Sequence, residues 1–304
     1  MEVCLAVVFP WFPRRDTPEL YDFREISLTE GMAMLTGVNQ WAFPADMPAL
    51  DAMELAARLG FQSFELCVGE DGPLPLSTTQ SEAAVLRKKA EELGLVLPSL
   101  GTGIGWKYPL TTPDETLAKK GIEQTAQALQ LAQWLGAQSV LVVPGSVTSD
   151  LSYDDAYENA LDNLLALVPQ AETTGVTLGI ENVWNKFLLS PLEMRDFIDE
   201  CDSEHVGAYV DTGNIILYGY PEQHLRILGH RVCAVHAKDF RASAGNFDGF
   251  VMLMEGDVNW PEVMAALKEI GFDGALTAEY GPYQHSTEVM LRHVRTSLEA
   301  IISL

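Results

Sequence analysis

Glu181, Asp211, His236 and Glu279 each stand at or near the end of a short apolar run, and the four runs follow one another along the chain. They are Thr177 to Glu181, Val206 to Asp211, Val232 to Lys238 and Ala275 to Glu279, all of strand-like composition. Side chains alternate across a strand, so the company each group keeps can be read by parity. Glu181 shares its side with Thr177 and Gly179, and Glu279 with Ala275 and Thr277, while the larger Leu178, Ile180 and Leu276 fall opposite. That is the pattern of strands whose bulky side packs on helices. Asp211 keeps company with Gly207 and Tyr209, a less clean case, and His236 with Val232 and Ala234, which discriminates little. Three carboxylates and an imidazole in one space repel unless something neutralises them. A divalent cation does so, and oxygen-rich ligation with one nitrogen suits Mn²⁺, Mg²⁺, Co²⁺ or Zn²⁺ alike. A strand-end carboxylate, an N-cap, a core histidine and a salt-bridge partner would explain the four singly. Their recurrence at four successive strand ends favours a metal site.

The rest of the chain supplies the elements such a site needs. Further apolar runs at Val3 to Phe9, Phe61 to Cys67, Val96 to Leu100 and Ser139 to Val143 bring the predicted strands to eight. Apolar residues recur at helical spacing over Met47 to Leu59, Thr79 to Leu93, Thr116 to Leu135, Tyr153 to Thr174, Pro191 to Cys201, Pro221 to Leu228, Pro261 to Ile270 and Thr287 to Ile302. Glycines in "AARLGF", "AEELGL", "AQWLGA", "AETTGV" and "LKEIGF" mark helix ends. Eight strand–helix units predict a single (β/α)8 TIM barrel, residues 1–304 forming one catalytic domain with its site at the C-terminal rim. An open nucleotide-binding sheet is disfavoured: "VFPWFPRRD" carries no phosphate-binding turn, and "GTGIGW" is not GxGxxG opening a helix. Two long connections, Pro10 to Asp46 and Asp239 to Trp260, are expected over the substrate side. Their Trp11, Phe12, Tyr21, Trp41, Phe43, Phe247 and Phe250 are available as pocket walls or as loop packing.

Acidic side chains outnumber basic ones 43 to 19, a net charge of −24 that repels nucleic acid and anionic membrane, and no basic run offsets it. No apolar run reaches the roughly 20 residues of a membrane span. Met1 to Pro10 is apolar, but Glu2 stands where a signal peptide carries positive charge, so a cytoplasmic location is expected. The cysteines, Cys4, Cys67, Cys201 and Cys233, form no close pair. The expected partner is a small molecule, with a homo-oligomer open.

The chain resembles the xylose-isomerase-like TIM barrels, among them the sugar and sugar-phosphate isomerases and epimerases related to tagatose and allulose 3-epimerases. The resemblance rests on "LAARLGFQSFEL", "LGIENVWNKF", "VGAYVDTGN", "VCAVHAKDF" and "GDVNWPEVMAALKEIGFDGALTAEY". It implies one divalent metal ion, Mn²⁺ favoured, held by Glu181, Asp211, His236 and Glu279. It also implies that Glu181 and Glu279 exchange protons with substrate. Three positions depart from the epimerase pattern: Asn214 where a second histidine is common, Leu188 where a glutamate tends to follow, and Arg241 as a differently spaced substitute for a substrate-binding arginine.

With a ketose bound through its carbonyl and neighbouring hydroxyl, Glu181 and Glu279 would reach opposite faces of the α-carbon. One would remove the proton and the other return it, inverting the centre through an enediolate. The expected activity is therefore ketose 3-epimerisation, with aldose–ketose, sugar-phosphate or keto-inositol isomerisation as the alternative. Glu65 ends strand two on the inward side beside Ser63, Trp106 and Lys107 follow strand three, and Lys238 shares the parity of His236. With Asn214 and Arg241 these are the candidate substrate contacts. Two other classes use the same barrel. A non-catalytic binding module needs only the pocket, whereas a metal-dependent endonuclease needs further metal ligands and a phosphate-binding surface. Six histidines in all, none near the ends of strands two or three, disfavour the endonuclease.

Overall fold

A computed structural model describes residues 34–304. Eight parallel strands close into a barrel: β1 (Leu35–Asn39), β2 (Ser63–Val68), β3 (Ser99–Thr102), β4 (Ser139–Val142), β5 (Thr177–Glu181), β6 (Val206–Asp211), β7 (Val232–Ala237) and, after a two-stranded excursion, β10 (Ala275–Ala278). Each strand pairs with its sequence neighbours, and β1 pairs with β10 to complete the ring. The helices between them are α1 (Ala49–Leu59), α2 (Gln80–Leu93), α3 (Ile104–Lys107), α4 (Glu115–Leu135), α5 (Tyr153–Leu165), α6 (Val168–Thr174), α7 (Pro191–Glu200), α8 (Thr212–Ile215), α9 (Pro221–Leu228), α10 (Trp260–Glu269) and α11 (Thr287–Ile302). An apolar layer between strands and helices, including Val38, Phe64, Leu100, Val140, Ile180, Leu267 and Leu298, is fully buried. Gly60 and Gly94 end α1 and α2 at φ 89° and 70°, conformations a side chain would strain.

The first strand differs from expectation. Val3 to Phe9 lies outside the described residues, as do Trp11, Phe12 and Tyr21, and the barrel closes through Leu35–Asn39 instead. Gly37 makes that strand possible, because a Cβ there would lie 2.5 Å from Ser63 Oγ and 2.8 Å from Thr277 Oγ1. The link from β1 to α1 is therefore short. It contains the 3₁₀ turn Gln40–Ala42, and Phe43 packs on Phe64 with ring centroids 5.5 Å apart. The helix expected over Tyr153 to Thr174 is two helices, with Pro169 in the first turn of α6 where its missing N–H costs nothing.

Inside the barrel, small residues on one strand accommodate large ones on the next. A Cβ on Gly179 would meet Cys233 Sγ at 3.0 Å and the Tyr209 ring at 3.1 Å. Tyr209, the bulky member of the β6 inward side, thus fills the interior and is completely buried. Two glycines of "GTGIGW" serve packing: a Cβ on Gly105 would sit 1.8 Å from the Val143 carbonyl, and one on Gly101 3.0 Å from Cys67 Sγ. After β7 the chain makes an antiparallel ribbon of β8 (Asp239–Phe240) and β9 (Phe250–Val251) before entering α10.

Candidate metal centre and cavity

Four barrel strands deliver the expected quartet to one place. One ligand atom from each of Glu181, Asp211, His236 and Glu279 lies within 4.8 Å of the others. Glu181 and Asp211 close β5 and β6, His236 is the penultimate residue of β7, and Glu279 follows β10 directly. His236 turns Nδ1 toward the acids, 3.4 Å from Glu181 Oε1 and 3.0 Å from Glu279 Oε2. Lys238 Nζ sits 3.0 Å from both Asp211 Oδ2 and Glu279 Oε2.

Local hydrogen bonds fix these positions. Asp211 Oδ1 accepts from Asn214 N at 2.8 Å, capping the short turn of α8 and leaving Oδ2 for the centre. Asn182 clamps the end of β6 by accepting from Asp211 N and donating to Asp211 O, at 2.9 and 3.0 Å. Asn214 in turn donates to Asn182 O at 3.0 Å. Its carboxamide therefore both braces the rim and lines the cavity. Leu188, where the epimerase pattern has glutamate, is buried with φ 51° and its N–H donates to Tyr153 OH, so it packs into the core.

Electrostatics set the proton affinities. Burial pushes the Glu181 carboxyl up to about 7, opposed by its hydrogen bond to His236 and reinforced by the charge of Glu279. Burial also raises Asp211, against the pull of Lys238. For Glu279 burial acts the same way, but Lys238 and His236 outweigh it and hold the carboxyl well below its usual range. Burial disfavours a charged His236, yet Glu65 and Glu279 overcome this and raise it well above an ordinary histidine. Three carboxylates and one imidazole nitrogen at this spacing fit a divalent cation in donor type and in charge.

Above the quartet opens a cavity of about 460 Å³. Glu181, Glu279, Lys238 and Asn214 contribute polar groups to it, and Trp41, Trp106, Trp184, Phe247 and Phe250 form much of its wall. Trp184, from the "ENVWNKF" stretch, is held by Nε1 donating to Asn214 O at 2.9 Å and stacks near Phe250 and Phe247 at 5.1 and 4.9 Å between centroids. The ribbon carrying those phenylalanines hangs on Asp239. That carboxylate accepts from Phe240 N, Met254 N, Val258 N and Trp260 Nε1 at 2.8–3.2 Å.

Three expected substrate contacts stand elsewhere. Glu65 is completely buried below the cavity, its Oε1 2.9 Å from His236 Nε2 and its Oε2 2.5 Å from Ser99 Oγ, with Tyr209 OH also on Oε2. The barrel interior, not the rim, claims it. Lys107 pairs with Glu70 on the exposed side of α3, where Tyr108 OH and Gln124 Nε2 also donate to that carboxylate. Arg241 is exposed and donates to Glu255 O at 3.2 Å, bracing the ribbon's loop. Parity and loop position could not separate these from Trp106, Asn214 and Lys238, which do line the cavity. Asn39, at the end of β1, lies outside the strands that the apolar pattern marks. It stands in register with Glu65, is completely buried, and neither side-chain polar atom has a hydrogen-bond partner.

Relatives agree with this architecture. An uncharacterized protein of Methanocaldococcus jannaschii is 29% identical over 174 residues, 55% of this chain, so the match spans 58% of that relative's length. L-ribulose-5-phosphate 3-epimerase UlaE of Salmonella paratyphi C is 27% identical over 247 residues, covering 80% of this chain and 86% of that enzyme. The crystal structure of the IOLI protein with a zinc atom superposes with a TM-score of 0.75 at 16% identity, over 89% of this chain and 98% of that one. The family model described as Xylose isomerase-like TIM barrel matches residues 53–299, and the chain belongs to that family.

Proposed function

We propose that this chain is a divalent-metal-dependent sugar epimerase that inverts C3 of an unphosphorylated ketose. The observation that carries the reading is the placement of Glu181 and Glu279 at the cavity floor, from the ends of β5 and β10 with β6 and β7 between them, beside the same nitrogen of His236. Glu181, Asp211, His236 Nδ1 and Glu279 would hold the cation, Mn²⁺ favoured over Mg²⁺, Co²⁺ or Zn²⁺. When bound it supplies Lewis-acid stabilisation of the oxygens that gain charge as the α-proton leaves. The chain's own work is to bring one carboxylate to each face of the reacting carbon, so that one takes the proton and the other returns it. Lys238 offers its ammonium to an oxygen of the substrate, and Trp106 and Trp184 cover the sugar's C–H faces.

The relative UlaE acts on a phosphorylated ketose. Among the described residues Lys238 is the one cationic side chain lining the cavity, and it already faces Asp211 and Glu279. This favours an uncharged substrate. A second reading, aldose–ketose or keto-inositol isomerisation through the same intermediate, is favoured by Asn214, which lines the cavity where the epimerase pattern has a histidine.

The test is a metal-supplemented screen of ketoses, their phosphates and keto-inositols in deuterated water. Deuterium at an inverted C3 is expected; label at C1 with an aldehyde formed or lost would establish isomerisation instead. Selective turnover of a phosphorylated ketose would reverse the substrate assignment. Glu181→Gln and Glu279→Gln should each lower steady-state turnover by at least about 100-fold, with metal content measured in the same samples. Undiminished turnover in either variant would refute the two-carboxylate scheme.

A further inference from the structure

His236 has two ring nitrogens, and only Nδ1 faces the acids at the cavity floor. Nε2 points the other way, into a closed group of side chains inside the barrel. Glu65 Oε1 lies 2.9 Å from it and Tyr209 OH 3.1 Å. Ser99 Oγ is 2.5 Å from Glu65 Oε2 and 3.1 Å from Tyr209 OH, and Tyr209 OH contacts Glu65 Oε2 as well. His236, Glu65 and Tyr209 have no exposed surface and Ser99 has 2%. Ionised, Glu65 can only accept hydrogen bonds. With the two hydroxyls directed at Oε2, Oε1 is left to accept a hydrogen bond from the imidazole Nε2–H.

We propose that Glu65, braced by Tyr209 and Ser99, is a positioning residue that holds a proton on His236 Nε2 and so presents the Nδ1 lone pair to the cation site. This rests on the cation reading given above for its consequence, though not for the proton's location. Nothing else in contact with Nε2 accepts as strongly, since Tyr209 OH has Glu65 as its own acceptor. Carboxylates that accept the outer N–H of a ligating histidine fix its tautomer and ring orientation, and their loss typically weakens metal binding about 10- to 100-fold.

The full chain, labelled with ¹⁵N-histidine, carries two readouts. In the wild type at neutral to mildly basic pH, long-range ¹H–¹⁵N spectra should show a slowly exchanging, deshielded proton on His236 Nε2, assigned by its loss in His236→Asn, and added Zn²⁺ should leave that proton in place while Nδ1 carries none. An unprotonated Nε2 in the wild type overturns the proposal and needs no variant to fold. In Glu65→Gln, checked for native circular dichroism, that resonance should be lost or strongly shifted, and Mn²⁺ affinity by titration should fall about 10- to 100-fold. A folded Glu65→Gln protein with both readouts unchanged, or with its affinity alone unchanged, also overturns the proposal. A wild type that takes up no Mn²⁺, Mg²⁺, Co²⁺ or Zn²⁺ while keeping the Glu65-dependent Nε2 proton would refute the cation reading and leave the positioning role standing.

Discussion

Trp106, Lys107 and Arg241 all follow strand ends, yet only Trp106 reaches the cavity wall. Trp106→Ala should raise the KM for the proposed ketose substrate by about 3- to 10-fold through lost ring contact. Lys107→Ala and Arg241→Ala should leave kcat/KM within about twofold, as surface changes do. Equal losses in all three would mean that the cavity described is not where substrate binds. Lys107 has a different measurable effect. With Gln124 and Tyr108 it lowers the Glu70 carboxyl from 4.5 to about 2. A folded-state pKa below the unfolded one gives a contribution that is present above pH 4.5 and lost as pH falls through about 2. Carboxyl ¹³C NMR should find Glu70 titrating near 2 and moving back up in Lys107→Ala. A wild-type midpoint near 4.5 would dismiss the contact. The four candidate ligands were legible because each ends a recognisable strand. Glu65's role was not, because its partners Tyr209 and His236 stand 144 and 171 positions away and meet it only across the barrel.

At the scale of elements, most predicted strands and helices lie within a few residues of their observed places, since apolar periodicity and glycine caps mark them locally. β1 escaped because "LTGVN" is short and holds glycine and asparagine, both poor strand formers. Its glycine answers to space between Ser63 and Thr277, which no local pattern records. The excursion after β7 was recognised as long, but not that one carboxylate organises it. Met254, whose N–H donates to Asp239, takes φ 73°, a conformation costly for a side chain unless its surroundings enforce it. Asp239→Asn would turn an amide donor toward groups that are themselves donors. It should cost about 2–3 kcal/mol in urea-induced unfolding and open the 240–258 segment to limited proteolysis. Unchanged stability and unchanged proteolysis would show that the ribbon is held by its aromatic contacts instead.

For the whole molecule, the net charge of −24 and the buried acids at the rim work in the same direction. Three carboxylates meet at the quartet, so a cation binding the folded chain alone should raise its stability by mass action. At a free metal concentration 100 times Kd the gain is about 2.7 kcal/mol, which amounts to roughly 5 °C in Tm for a chain of this size. Differential scanning calorimetry with Mn²⁺, reversed by a chelator, measures it. No shift at saturating Mn²⁺ would count against a cation at this site. Among the described residues no helix is long and apolar enough to cross a membrane.

The division of labour around the cavity has a consequence for protein engineering. The candidate ligands sit on strand ends locked into the barrel's hydrogen-bond ring, whereas Phe247 and Phe250 belong to an excursion that leaves after β7 and rejoins at α10. Libraries that vary residues 241–253 while retaining Asp239 and its donors would diversify one wall of the cavity and leave the candidate ligand set intact. On the proposed function, new substrate scope is then selectable without altering the carboxylates assigned to proton transfer.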